Sequence, residues 1–286
     1  MRYIKLSDLC NTIRNNIYKI PHDVDAVIGV PRSGMIAASI VSEYLNIPLG
    51  DVNTLVFSSG DRMKLFESKP IKKVLVIDDS TFSGKSMRET KEKLKNVEGY
   101  EFIYCVVYLE GDKGAKEIDL YLEDMRHEDK GWGNICLYEW NLFNHYPHVM
   151  AKIMWDLDGV FCLNPLRDDN EEEYLEFIKN ATPLFTPKVK LNKIVTYRCV
   201  KYYEQTKEWL NKNGIHFNFI AMVNAQNYIE RNQVAPSSAQ FKAEIYKNDD
   251  AQLFIESEEN QAEQIWKLAN KPVLCVKNNK LYGEEL

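Results

Sequence analysis

One stretch in the first third of the chain constrains the fold more than any other. Residues 74–77 read Val-Leu-Val-Ile, an apolar and mostly β-branched run that is typical of a buried strand. Asp78 and Asp79 follow it, and then comes a loop of small hydroxylic residues that ends at Gly84. Residues 88–96 have helical character. A strand–loop–helix unit of this kind directs free backbone N–H groups and a helix dipole to one point, which predicts a phosphate site.

The end of this loop, Gly84-Lys85-Ser86, matches the end of the nucleotide-hydrolase motif G-x-x-x-x-G-K-[ST]. That motif also requires a glycine at the position of Asp79, so the match fails. Adjacent carboxylates suit a sugar phosphate instead, because the sugar hydroxyls need acceptors. The stretch resembles the phosphoribosyl-pyrophosphate signature of the type I phosphoribosyltransferases; the alternative is an ordinary strand–helix turn with an acidic end. The resemblance implies substrate binding by Asp78, Asp79, Ser80, Thr81, Phe82, Ser83, Gly84, Lys85 and Ser86.

A second strand–loop–helix unit precedes the first. Residues 26–30 predict a short buried strand, residues 35–45 predict a helix, and Pro31-Arg32-Ser33-Gly34 lies between them. Two such units predict a parallel, doubly wound sheet. Alone, the tetrapeptide indicates only a turn, but type I phosphoribosyltransferases hold the pyrophosphate leaving group with a loop at this place. The resemblance therefore adds Arg32, Ser33 and Gly34 to the substrate-binding residues.

Three further features of this half bear on the substrate. The polar segment 57–73, with Arg62 and Lys64, suits either a loop that closes over diphosphate or a set of solvated charges. Phe82 stands where purine-type members of the resembled family usually carry an acid that meets the base, which argues against purine salvage. The aromatic-rich segment 131–148 suits either a sugar-stacking surface or a seam between domains. The stacking candidates are Trp132, Tyr138, Trp140 and His145.

The C-terminal half opens with a strand that carries Asp156-Leu157-Asp158. A spacing of two puts both carboxylates on one side of a strand, where one can attack phosphorus while the other exchanges a proton with the leaving oxygen. With three further motifs in the right order, this half resembles the haloacid-dehalogenase-like phosphatases. The resemblance implies catalysis by Asp156, Asp158, Thr196 and Lys242, an Mg²⁺ ion on Asp156, Asp158 and Glu256, and an anion contact at Arg198.

Two departures from that pattern concern activity and substrate. The fourth motif usually carries two aspartates, whereas this chain has Glu256 followed by Ser257. The segment 160–193 holds one short predicted helix, 171–178, where many family members carry a large cap. A minimal cap leaves the site open, which suits a phosphate displayed on a bulky molecule.

Bulk properties bound the class of protein. A chain of 286 residues predicts two domains, placed at 1–149 and 150–286, and the fold class is α/β with two doubly wound, mainly parallel sheets. The net charge of −6, without a basic block, argues against nucleic acid as a partner. Six scattered cysteines, and no apolar run of about 18 residues, predict a cytoplasmic protein without a membrane segment. The oligomeric state stays open, a homodimer included.

Joining the halves predicts a bifunctional enzyme. The first domain would transfer a 5-phosphoribosyl group from phosphoribosyl pyrophosphate to a glycan, and the second would remove the 5-phosphate, with Mg²⁺ in both. This combination resembles two-domain proteins that are linked to ribofuranose addition in bacterial polysaccharides. Two alternatives remain: a nucleobase phosphoribosyltransferase coupled to a nucleotide phosphatase, and a non-catalytic sensor of phosphoribosyl pyrophosphate.

Overall fold

A computed structural model describes residues 2–53, 55, 70–127, 136–235 and 237–283. They form two compact units. The N-terminal unit comprises the described residues of Ile4–Asp129 and Tyr138–Trp140, and the C-terminal unit those of Met1–Tyr3, Lys130–Leu137 and Asn141–Leu286.

Most of the regular elements alternate between strand and helix, as is typical of an α/β fold. The strands are β1 (Arg2–Ile4), β2 (Ala26–Gly29), β3 (Leu49–Asp51), β4 (Lys73–Thr81), β5 (Glu101–Leu109), β6 (Leu120–Asp124), β7 (Cys136–Tyr138), β8 (Ile153–Trp155), β9 (Leu191–Cys199), β10 (Phe217–Val223), β11 (Leu253–Glu256), β12 (Val273–Cys275) and β13 (Lys280–Tyr282). The helices are α1 (Leu6–Asn16), α2 (Gly34–Leu45), α3 (Lys85–Leu94), α4 (Asp112–Ala115), α5 (Pro147–Met150), α6 (Glu171–Asn180), α7 (Tyr203–Lys212), α8 (Tyr228–Val234), α9 (Ser238–Lys247) and α10 (Glu259–Ala269).

The N-terminal unit is built on a five-stranded parallel sheet with the order β3-β2-β4-β5-β6. The chain runs from β2 to one edge of the sheet and from β4 to the other. The topological switch point therefore lies between β2 and β4, where connections leave in opposite directions and a crevice opens at the carboxyl ends of the strands. The doubly wound, mainly parallel sheet predicted for this half is confirmed.

Strand β4 is the central strand of this sheet, and its apolar run Val74–Ile77 is fully buried. The strand is longer than the sequence predicts. Residues 78–81 continue the pairing with β5, where Ser80 lies opposite Tyr108 and Thr81 opposite Leu109. The two carboxylates therefore stand inside the strand rather than at its end, and α3 begins at Lys85, three residues earlier than predicted.

The C-terminal unit has a six-stranded sheet with the order β10-β9-β8-β11-β12-β13, parallel except for β13. Its switch point lies between β8 and β11. Lys242 is the fifth residue of α9, and Ser237 caps that helix by accepting a hydrogen bond from the N–H of Gln240. The predicted domain limits of 1–149 and 150–286 stay a prediction; residues 141–149 lie in the C-terminal unit.

The structure bears on two expectations that come from composition, the state of the cysteines and the hydropathy of the helices. All six cysteines are free, and five of them are buried, as core residues that stay reduced would be. In the described part of the chain, every helix is too short or too polar to cross a membrane.

Candidate active sites

The two loops singled out from the sequence meet at the switch point of the N-terminal unit. The N–H of Val30 donates to the carbonyl of Ile77 at 2.9 Å, which ties the ends of β2 and β4 together. The Ser33 hydroxyl donates to Asp79 Oδ1, also at 2.9 Å. A Cβ at Gly34 would lie 2.7 Å from the Ile77 carbonyl oxygen and 2.9 Å from Asp78 Oδ1, so only glycine permits this approach.

Asp78 and Asp79 are both buried, with 7% and 4% of their surface exposed. The N–H of Asp79 donates to Asp78 Oδ1 at 3.0 Å. Burial, followed by the negative charge of Asp79, raises the pKa of Asp78 well above its ordinary value. The neighbouring carboxylates therefore favour a protonated Asp78, a perturbation that is frequent at functional sites.

The loop between β4 and α3 is held from several sides. Gly84 has a φ of 72°, which favours glycine, and its N–H donates to the Thr81 hydroxyl at 3.1 Å. The Arg88 guanidinium donates to the Ser83 carbonyl at 3.0 Å and to Glu117 at 3.2 Å. In the first turn of α3 the Lys85 N–H donates to the Ser83 hydroxyl at 3.4 Å and the Arg88 N–H to the Gly84 carbonyl at 3.0 Å. The N–H groups of Ser86 and Met87 lie at the position where a helix start can donate to an anion.

The remaining loop side chains face outward. Ser83, Lys85 and Ser86 are exposed, and so is Arg32, which follows a cis peptide bond after Pro31. Phe82 has 68% of its surface exposed. Its backbone packs on Gly111, where a Cβ would lie 2.4 Å from the Phe82 carbonyl oxygen. Of the other residues predicted for this loop, Ser80 is half-buried and Thr81 is buried.

Trp140, a stacking candidate from the sequence, makes a contact with the carboxylate pair that the sequence did not predict. Its indole N–H donates to Asp79 Oδ2 at 2.6 Å, across 61 positions of the chain. The Trp140 ring lies 5.0 Å from the ring of Tyr138, whose hydroxyl donates to Glu110 at 2.7 Å. The aromatic composition of this segment was a usable signal, but composition alone does not assign a partner to an indole.

Three residues of the sequence-based hypotheses lie outside the described part of the chain: Arg62, Lys64 and Trp132.

The switch point of the C-terminal unit also collects buried charges. The Lys242 ammonium lies 2.9 Å from Asp156 Oδ2 and 2.8 Å from Glu256 Oε2, and all three side chains are buried. Burial, followed by the charge of Glu256, raises the pKa of Asp156 well above its ordinary value. Burial opposes the charge of Lys242, but the two carboxylates outweigh it and raise the pKa of this ammonium.

Asp158 has a different cation. The fully buried Arg198 guanidinium donates to both its oxygens, from Nε at 3.0 Å and from Nη2 at 2.6 Å. The Thr206 hydroxyl accepts a further bond from Arg198 at 3.2 Å. Thr196 is fully buried in β9, and its hydroxyl accepts from the Arg198 N–H at 3.3 Å. Arg198, predicted as an anion contact, is thus the partner of Asp158 in this structure.

An open cavity of about 160 Å³ is bordered by the charged residues Asp156, Asp158, Arg198, Lys242 and Glu256. Arg231, which the sequence did not single out, also lines it and is almost fully buried. Its guanidinium lies 2.8 Å from Asp168 Oδ2, and its Cζ lies 4.4 Å from the centre of the Tyr197 ring. Arg231 belongs to the short helix α8. The fold brings it to the cavity, and no sequence motif indicates this position.

The predicted Mg²⁺ ligands are already engaged with cations. Asp156 and Glu256 share Lys242, and Asp158 is held by Arg198. Within the described ranges, no group of three or more His, Cys, Asp or Glu side chains is arranged to hold a metal ion. In this arrangement the residues do not fit Mg²⁺ without the release of a cation, and the metal set stays a prediction.

Comparisons with known proteins concern the N-terminal part of the chain. Residues 3–136 match the family model of the phosphoribosyl transferase domain. This match covers just under half of the chain. A comparison with curated proteins finds no match.

Solved structures with a similar fold include three phosphoribosyltransferases. The orotate phosphoribosyltransferase from Aeropyrum pernix is 23% identical, with 42% of this chain and 71% of that chain covered and a TM-score of 0.33. The Helicobacter pylori xanthine-guanine-hypoxanthine phosphoribosyltransferase is 14% identical, with 49% and 92% covered and a TM-score of 0.36. The purine phosphoribosyltransferase from Pyrococcus horikoshii Ot3 is 20% identical, with 49% and 92% covered and a TM-score of 0.35. At this level, similarity does not bear on the substrate.

Replacing Asp78 by asparagine tests how the buried carboxylate pair affects the free energy of unfolding. Because its folded pKa is raised above the unfolded value, the stabilisation from Asp78 is fully present below about pH 4 and is lost as pH rises through the folded pKa. Asp78→Asn has nearly the same shape and does not titrate. We expect it to gain stability relative to the wild type as pH rises, measured by urea unfolding from pH 3.5 to 8. Glu98→Gln, on the surface, is the control, and a variant that loses stability with rising pH would contradict this account.

Replacing Lys242 by methionine tests the buried triad of the C-terminal unit. The change leaves Asp156 and Glu256 buried without their cation. Removing one partner of a buried charge pair costs about 3–5 kcal/mol. We expect a loss of this size in the free energy of unfolding at pH 7. The exposed Lys267→Met is the matched control, and equal, small losses in both variants would show that the triad does not stabilise the fold.

Proposed function

We propose that the protein transfers a 5-phosphoribosyl group from phosphoribosyl pyrophosphate to a glycan acceptor and then removes the 5-phosphate, which leaves a ribofuranose. The observation that carries the first step is the buried pair of Asp78 and Asp79. The pair stands at a topological switch point beside a fixed anion-binding loop, within the residues that match the phosphoribosyl transferase domain.

In the first step the N-terminal unit positions the donor. The loop 83–86, with the first turn of α3, would bind the 5-phosphate, and Asp79 would accept hydrogen bonds from the pentose hydroxyls. Arg32 is exposed on the neighbouring loop, where it would pair with the diphosphate. Mg²⁺ would enter with the donor as part of the substrate. The acceptor oxygen forms the new bond to C1 of the pentose as diphosphate leaves, so positioning and charge stabilisation carry the step.

The surroundings of Phe82 support a glycan acceptor. Its exposed ring cannot accept a proton from a base nitrogen or form a hydrogen bond with one. Aromatic faces with polar edges suit sugar rings, and Trp140 brings one such ring, backed by the buried Tyr138, to the carboxylate pair. A nucleobase acceptor stays the principal alternative, since the phosphoribosyl transferase domain does not itself determine the acceptor.

In the second step the C-terminal unit would remove the phosphate. An Asp156 oxygen would attack the phosphorus and break its bond to the pentose 5-oxygen, which takes a proton from Asp158. Water would then hydrolyse the aspartyl-phosphate. The meeting of Asp156, Lys242 and Glu256 at one switch point supports this step, while the Arg198 contact must loosen before Asp158 can donate a proton.

The two steps fit one chain because the product of the first is the substrate of the second. The sequential product is a glycan that carries plain ribofuranose, as in polysaccharide biosynthesis. A nucleobase enzyme would instead consume phosphoribosyl pyrophosphate with a free base alone, and a sensor would bind it without turnover. The two hydrogen bonds from Arg198 to Asp158 favour the sensor, because they engage a carboxylate that hydrolysis would need.

Two matched variants separate the steps. Asp156→Asn removes the nucleophile of the second step, and we expect phosphomonoester hydrolysis to fall at least about a hundredfold while phosphoribosyl pyrophosphate is still consumed. The variant should release a glycan that carries pentose phosphate. Asp79→Asn should leave hydrolysis of a simple phosphomonoester intact and lower consumption of the donor. Products are identified by mass spectrometry after incubation with Mg²⁺, isotopically labelled donor and a panel of glycans and free bases.

The outcomes decide among the alternatives. Label that reaches nucleobases and no glycan would overturn the glycan proposal. Phosphomonoester hydrolysis that survives Asp156→Asn would overturn the second step, and binding of the donor without turnover would favour the sensor.

A further inference from the structure

The position of Trp140 has a consequence for how Asp79 binds a pentose. An ionised carboxylate has two acceptor positions on each oxygen. The Ser33 hydroxyl donates to Oδ1 and the Trp140 indole to Oδ2, so each oxygen holds a protein donor. The donors come from separate parts of the chain and together fix the rotation of the carboxylate.

The orientation of the Asp79 carboxylate matters because only a small part of this residue is exposed to solvent or to a ligand. Its residue exposure is 4%, and its neighbour Asp78 is buried beside it. A carboxylate that turned about its Cβ–Cγ bond would point an oxygen at the protein interior. One held by two donors presents both oxygens in a constant direction, which matches the two adjacent hydroxyls of a ribofuranose.

The support for Trp140 is itself ordered. Its ring lies 5.0 Å from Tyr138, and the Tyr138 ring lies 6.0 Å from that of Tyr108 on strand β5. Tyr138 is buried and donates to Glu110. This aromatic row continues from the sheet to the indole, so the indole N–H is fixed by packing and not by the carboxylate alone.

We infer that Trp140 is a positioning residue that sets the selectivity of the pentose site for adjacent hydroxyls, by holding Asp79 through its indole N–H. The inference rests on the proposed function, because it assigns the pentose of the donor to this carboxylate. It extends the site beyond the β4–α3 loop to a residue 61 positions away. Trp140 touches the carboxylate that binds the substrate and takes no part in bond making.

The test compares Trp140→Phe with Trp140→His, because phenylalanine lacks the N–H donor and histidine retains one. Binding of phosphoribosyl pyrophosphate, ribose 5-phosphate and the 2-deoxy and 3-deoxy analogues is measured by titration calorimetry with Mg²⁺. A hydrogen bond to a charged group contributes about 1.5–3 kcal/mol, so Trp140→Phe should weaken binding of ribose 5-phosphate about tenfold or more. In Trp140→Phe, binding of the deoxy analogues should weaken less than binding of ribose 5-phosphate. The affinity ratio of ribose 5-phosphate to the deoxy analogues should therefore fall, and Trp140→His should restore part of this ratio.

The kinetic readout separates positioning from a general loss of structure. Trp140→Phe should raise KM for the donor and leave kcat within about threefold, since the contact acts on the bound pentose in both ground and transition states. Trp266→Phe, in the C-terminal unit, is the matched control and should change neither binding nor KM. If Trp140→Phe does not fold, Ser33→Ala removes the other donor and should narrow the same preference.

Each result has one meaning. Wild-type protein that binds none of the pentose phosphates would overturn the proposed function itself. Wild-type binding with the ribose preference unchanged in Trp140→Phe would overturn the inference alone. Tighter binding by Trp140→Phe would show that the indole covers Asp79 rather than positions it, which also overturns the inference.

Discussion

Burial of acidic side chains at the carboxyl edge of a parallel sheet is the constraint on which the rest of the structure depends. Moving a carboxylate out of water costs far more free energy than moving an amide out of water. A buried carboxylate therefore stays charged only where hydrogen-bond donors or cations surround it. In the N-terminal unit Asp79 receives a hydroxyl and an indole N–H, while Asp78 is pushed toward its protonated form. Such an arrangement costs stability and is kept where its chemistry is used.

The C-terminal unit meets the same constraint with cations. Lys242 compensates Asp156 and Glu256, and Arg198 compensates Asp158. The two cations hold these three carboxylates together, but they also engage the groups that phosphoryl transfer would need. This tension is why hydrolysis in this unit stands as a proposal, while the phosphoribosyltransferase-type domain rests on the match of residues 3–136.

The sequence was most informative where local pattern and tertiary role coincide. The apolar run of β4 and the glycine-bearing loops predicted the parallel sheet and the place of the crevice, because strand, turn and helix signals agree there. The sequence was less informative where pairing with a neighbouring strand decides the secondary structure. Residues 80 and 81 have the composition of a loop, yet they extend β4 because β5 pairs with them. Trp140 and Arg231 reach their sites only through the fold, and no spacing in the chain predicts those contacts.

The Asp78–Asp79 pair and the loop after it are expected to bind the pentose phosphate of the donor. A crystal structure of the protein with Mg²⁺ and phosphoribosyl pyrophosphate tests this most directly. We expect pentose hydroxyls within hydrogen-bonding distance of Asp79 and the 5-phosphate at the loop 83–86 and the first turn of α3. Donor bound elsewhere, with Asp79 unchanged and the loop empty, would contradict it.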